Sequence, residues 1–236
     1  MTSIIFFGLL IGMQHALEAD HIAAVSSMVT REKTLRGMIR HGVFWGVGHA
    51  VTLMVFAGAV LVFGLVISDA LAGWLEMAVG VMLVGLGGHV VYRLIKERIH
   101  FHTHRHPDGD MHFHAHSHEG DPLRHDNSSH DHQHVKRVPV RTLLVGMMHG
   151  LAGSAALVVL AVSTVGDPVI GVIYVALFGM GSILGMAILS AIVAVPLGLS
   201  ARFLTWANCG LQGGIGVFTI GLGAVGITHS AQAIGF

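Results

Sequence analysis

Polar and apolar positions along the chain separate into six long apolar stretches, at 3–29, 42–67, 71–94, 141–165, 169–195 and 207–228. About 20 apolar residues carry a helix across a bilayer, so each stretch predicts a transmembrane helix. The connections are short except for residues 95–140. All 13 Lys and Arg fall on one side of this arrangement. Arg31, Lys33, Arg36 and Arg40 join the first two stretches. A group from Arg93 to Arg141 lies at or between the third and fourth, and Arg202 joins the fifth and sixth. Basic loops stay cytoplasmic, which places both termini outside and the long loop inside. The outer side carries Asp69, Glu76 and Asp167 with no Lys or Arg, a face that concentrates cations. The first stretch lacks a basic leader and an obvious cleavage site, so it is expected to be a retained helix.

Composition agrees with a multi-pass protein of a cytoplasmic (inner or plasma) membrane. Of 236 residues, 53% are hydrophobic and 11% charged, and the mean hydropathy is +0.72. Such values lie outside the soluble globular range. The lipid bilayer is therefore the first expected partner. The formal net charge of zero gives no hint of nucleic acid, and none is expected as a partner. Cys209 is the single cysteine, which excludes an intramolecular disulfide and any Cys-based metal cluster. Gly is plentiful, at 32 residues, and small residues let membrane helices approach closely.

The chain resembles itself. "GLLIGMQHALEAD" (8–20) aligns with "TLLVGMMHGLAGS" (142–154), matching at six of thirteen positions. "FWGVGH" (44–49) aligns with "LFGMGS" (177–182), and "GVMLVGLG" (80–87) with "GVFTIGLG" (216–223). Order is kept, and the offset stays between 133 and 136. An odd number of helices per half makes the second half enter from the opposite side, the inverted repeat of secondary transporters. The expected fold is thus an all-α polytopic membrane protein, six helices in two inverted three-helix repeats. Residues 1–95 form the first repeat, 96–140 a largely disordered histidine-rich cytoplasmic loop, and 141–236 the second repeat. Asp20, His21 and His49 correspond to Ser154, Ala155 and Ser182, whereas His15 keeps a counterpart in His149. The polar chemistry concentrates in the first half.

Ionisable side chains inside a bilayer are costly and usually mark a pathway. Imidazole with carboxylate suits nickel, cobalt, zinc, copper or iron. It does not suit magnesium or calcium, which want oxygen shells. "HALEADH" (15–21) is a His-x4-Asp-His pattern, and "FWGVGHAV" brings His49 after Gly48. These motifs, with "GMMHGLAGSAAL" (146–157), resemble the nickel/cobalt transporter (NiCoT) family, in particular its short six-helix, urease-accessory-type members. The resemblance implies that His15, Asp20, His21 and His49 bind a transported ion. At about 100° per residue, His15 and Asp20 differ by roughly 140° and His15 and His21 by roughly 240°. A straight helix cannot aim all three at one ion, so a break near the motif is expected. His149 lies at the same depth in the fourth stretch as His49 in the second and joins the candidate ligands. Glu18 shares a face with His15 and His21, where it would orient an imidazole without touching the ion. His41, beside Arg40, reads as interfacial, and Trp74 and Trp206 as aromatic anchors.

Residues 100–134 hold 12 of the 19 histidines. With minimal apolar content this loop cannot fold alone, and such tracts bind divalent metals loosely. His102, His104, His106, His112, His114, His116 and His118 are the candidates for metal capture. A metallochaperone at the loop is a candidate partner. The whole reads as a secondary transporter of Ni2+ or Co2+, with the ion as substrate and no prosthetic group. The import direction is favoured because exporting relatives tend to lose the Asp of the signature. Export, or transport of another divalent metal such as zinc, stays open. An intramembrane metalloenzyme fits less well, since no His-Glu-x-x-His cluster is present, and no enzymatic activity is expected.

Overall fold

The structure is a computed structural model, and it describes residues 2–30, 32, 34–64, 68–96, 100–105, 111–116, 140–164, 167–203 and 205–235. Its helices are α1 (Thr2–His15), α2 (Ala19–Val29), α3 (Leu35–Phe63), α4 (Asp69–Lys96), α5 (Val140–Thr164), α6 (Pro168–Phe203) and α7 (Thr205–Ile234). Between α4 and α5 run strands β1 (His100–Arg105) and β2 (Met111–His116). Among the described residues, four stretches are long and apolar enough to cross a membrane: Leu35–Phe63, Asp69–Lys96, Val169–Ser200 and Trp206–Ile234, with mean hydropathies of 2.0, 1.7, 2.2 and 1.5. Their outward faces carry large apolar side chains such as Val55, Phe63, Met180, Ile192 and Val217. A soluble monomer rarely exposes so much apolar surface; lipid is the solvent that suits it.

Local chemistry sets the helix ends. The Thr34 hydroxyl caps α3, accepting the Gly37 N–H at 3.1 Å. Gly64 closes the same helix at φ +63°, a left-handed conformation open to glycine, with its N–H on the Val60 carbonyl. Ser68 Oγ accepts from the Leu71 N–H at the start of α4. Asp167 Oδ1 accepts from the Val169 N–H at the start of α6, where Pro168 takes the first helical position. Helices extend past the apolar stretches: α3 begins at Leu35 and α7 ends at Ile234. Backbone hydrogen bonding continues where side chains turn polar.

The first apolar stretch is broken. Leu17 N bonds to Gln14 O at 2.9 Å and Glu18 N to His15 O at 3.1 Å, both tightened turns. Glu18 is then extended at ψ 150°, and Ile22 N bonds back to Glu18 O to start α2. The expected interruption thus falls within the motif, at residues 16–18.

Packing follows glycine stripes. α1 lies on α6, α3 on both α5 and α6, and α4 on α7. A Cβ at Gly12 would land on the Phe178 carbonyl, and one at Gly146 on the Trp45 carbonyl. A Cβ at Gly48 would land on the Leu143 carbonyl, and one at Gly181 on the Leu9 carbonyl. Only glycine allows the backbones so close. α2 is pinned to α7 by the Ser27 and Thr219 hydroxyls, 2.9 Å apart.

Of the histidine-rich loop, the two strands are described. They pair antiparallel, with His100, His102 and His104 opposite His116, His114 and His112. A lone two-stranded pair is marginal in water, so the loop's expected lack of an independent fold stands as an expectation. His106 and His118, like Arg31 and Lys33, lie outside the described residues.

Candidate metal centre

The break in the first stretch turns α2 away from α1 and sets its first turn against α3 and α5. There the side chains of His15, Asp20, His21, His49 and His149 meet. Ring centroids are 4.4 Å apart for His15 and His21, 5.3 Å for His21 and His49, and 4.2 Å for His21 and His149. Two groups have ligand atoms within 4.8 Å of one another: His15, His21 and His49, and Asp20, His21 and His149. His21 belongs to both.

Hydrogen bonds fix which nitrogen each ring offers. His15 Nδ1 lies 2.8 Å from Glu18 Oε1. His21 Nδ1 lies 2.8 Å from Asp20 Oδ1, which also accepts the His21 backbone N–H. His149 Nε2 lies 3.0 Å from Asp20 Oδ2. A carboxylate only accepts, so each of these ring nitrogens donates. The opposite nitrogens, His15 Nε2, His21 Nε2 and His149 Nδ1, then keep their lone pairs. All three are buried without a partner, as are both nitrogens of His49. Buried polar atoms are normally satisfied; here four neighbouring rings are each left with at least one that is not, and His49 with two.

The surroundings hold the rings in place. Trp45, wholly buried, lies 5.3 Å from His21 and 5.5 Å from His149 by ring centroid, and Phe178 lies 5.2 Å from His15. Asp20 sits in the first turn of α2, where the helix dipole favours an anion. A cavity of about 1230 Å3 opens onto the cluster and is lined by His15, Glu18, Asp20, His21 and His149 among others. His49 is 0% exposed and stands behind it.

The structure thus brings together all five intramembrane candidates, and it puts Glu18 on His15. His41 has a more specific setting than an interfacial one: its ring bonds Thr142 Oγ1 at 2.6 Å and Glu32 Oε1 at 3.1 Å, tying α3 to α5 and to the preceding loop. The link to α5 was not legible along the chain, because Thr142 lies 101 residues from His41. Trp74 and Trp206 are exposed at helix starts, as aromatic anchors would be. Chemically, the cluster offers imidazole nitrogens and one carboxylate in a recess reached through a cavity, with no thiolate among the described residues nearby.

The urease accessory protein UreH of Bacillus sp. (strain TB-90) is 35% identical over 213 residues, which cover 90% of this chain and 85% of that protein. No family model and no solved structure matches the chain. At this identity, and over nearly the full length of both proteins, the chain belongs to the UreH urease accessory protein family.

Proposed function

We propose that the chain is a secondary transporter that carries Ni2+, and secondarily Co2+, inward across the cytoplasmic membrane. The single observation behind this reading is the set of buried, unpartnered nitrogens on His15, His21, His49 and His149 around Asp20. Urease is a nickel enzyme, and an accessory protein in its service has reason to handle that ion. Imidazole with carboxylate is a donor set that nickel and cobalt accept. His21 belongs to both ligand groups, so an ion exchanges partners in steps and never sheds all of them at once. Glu18 and Asp20 hold the rings in the ligating tautomer, as carboxylates behind metal-bound imidazoles commonly do.

On this reading six spans cross the membrane: the broken pair α1 and α2 counts as one, followed by α3, α4, α5, α6 and α7. The matched glycine contacts support two inverted halves. Gly12 on Phe178 mirrors Gly146 on Trp45, and Gly48 on Leu143 mirrors Gly181 on Leu9. Each pair interconverts at the sequence-repeat offset. The basic loops face the cytoplasm and both termini lie outside. The histidine-rich loop then captures ions leaving the site, for buffering or for delivery to a metallochaperone. No ATP-binding motif is present in the sequence. An inside-negative potential suffices, since it supplies about 4.6 kcal/mol per 100 mV for a divalent ion.

The test is uptake into vesicles holding the purified chain under an inside-negative potential. Radioactive Ni2+ should accumulate, Co2+ should compete better than Zn2+, and His21→Ala or His49→Ala should abolish uptake. Absence of Ni2+ accumulation, or unchanged uptake by both variants, would end the proposal.

A further inference from the structure

The cavity that ends on the metal centre carries a second pair of metal-ligating side chains that the mechanism above does not use. Glu76 of α4 and His229 of α7 both line it. The two helices run antiparallel in tight contact. Gly73 meets Ser230 and Ile234, Gly80 meets Gly223 and Ile227, and Gly87 meets Gly216 and Ile220. This register carries Glu76 level with the segment around His229, so one carboxylate and one imidazole border the same space at the same height. Glu76 lies seven residues into α4 from Asp69, about 10 Å along the axis. That is inside the apolar stretch on its outer side, and both Glu76 and His229 are exposed where they line the cavity. Neither Glu76 nor His229 makes a hydrogen bond or an ion pair among the described residues. No Lys or Arg lies on this side of the chain, so nothing cationic competes for the carboxylate. The same cavity is lined by Glu18 and by Asp20 with His15, His21 and His149.

We propose that Glu76 and His229 form an outer binding position for a hydrated divalent transition-metal ion, a waypoint from which the ion passes by Glu18 to the buried centre. The proposal rests on the transport reading for its purpose but not for its chemistry. One carboxylate and one imidazole leave most of the coordination shell to water, so the ion binds loosely and leaves readily. Bordering the same cavity as the more buried site, the pair raises the local ion concentration and removes water in stages.

The test separates the pair from transport. The purified full chain, in detergent, is treated with diethylpyrocarbonate, and modification of His229 is followed by peptide mass spectrometry with and without Ni2+. Ni2+ should slow modification of His229 in the native chain and in His21→Ala, and should fail to do so in Glu76→Gln. No protection in the native chain, equal protection in Glu76→Gln, or loss of protection in His21→Ala would each overturn the proposal. In parallel, Glu76→Gln and His229→Asn are assayed for Ni2+ uptake. Each should raise KM about tenfold, at the low end of the concentrating effect of a charged cleft, and leave kcat within about twofold. If the native chain shows no uptake, the transport reading fails while the modification experiment still decides the pair.

Discussion

Replacing Asp20 by Asn tests the centre at its most connected residue. Asp20 Oδ1 accepts from both the backbone and the ring of His21, and Oδ2 accepts from His149 Nε2 at 3.0 Å. An amide has one acceptor oxygen. If that oxygen stays with His21, the amide NH2 faces His149 Nε2, which must then accept. The His149 proton moves to Nδ1, and the lone pair that faces the cluster is lost. The charge is lost as well. A divalent ion held among ligand atoms spaced within 4.8 Å of one another sits within about 5 Å of the carboxylate, an attraction of about 6.6 kcal/mol at an effective dielectric of about 20. The Asp20 side chain is 38% exposed through the cavity, and solvent screening reduces that figure to about 2 to 3.5 kcal/mol. At 1.4 kcal/mol per decade, the expected rise in KM for Ni2+ uptake is about 30- to 300-fold. The assay is initial-rate uptake in vesicles at matched protein density, with size-exclusion chromatography to show that the variant folds. A KM within threefold of the native value would refute both the tautomer argument and the place of Asp20 in the site.

Other outcomes follow from the same structure. Glu18→Gln leaves the ligand atoms in place but loosens the His15 ring, so Ni2+ affinity should fall by about tenfold, the low end of effects seen for residues behind a ligand; equilibrium binding in detergent checks it. Gly146→Val drives a side chain into Trp45, with Trp45 Cδ1 2.8 Å from the new Cβ. It should cost about 3 kcal/mol by overpacking, whereas Gly58→Ala, with nothing within 4 Å, should stabilise by up to about 1 kcal/mol; thermal melts in detergent compare them. Deleting residues 100–134 should lower the number of metal ions bound per chain, read by equilibrium dialysis, while leaving the initial uptake rate within about twofold.

Much of the fold was legible because hydropathy and charge act at the scale of whole helices. Long apolar runs forced α3, α4, α6 and α7, and the basic residues clustered between them. The interruption after His15 was not visible as composition. Ala16 and Leu17 are ordinary helix formers, and no Gly or Pro marks the spot. It was visible only through geometry, since His15, Asp20 and His21 could not share a face of a straight helix. His149 was found through its depth in the fourth stretch, which matches that of His49 in the second. Glu18 was found because it shares a face with His15, and the observed bond crosses the break itself. The bond of His41 to Thr142, and the placing of Glu76 and His229 on one cavity, depend on which helices become neighbours. Hydropathy carries no such information, because α5 and α6 lie between α4 and α7 in the chain.

The most direct measurement of the central claim is the location of bound Ni2+, by anomalous diffraction at the nickel edge from crystals of the native chain. The account predicts a peak between the rings of His21, His49 and His15 or His149, within bonding distance of the unpartnered nitrogens, and its disappearance in His21→Ala. A peak found elsewhere, with these rings turned away from it, would contradict the account.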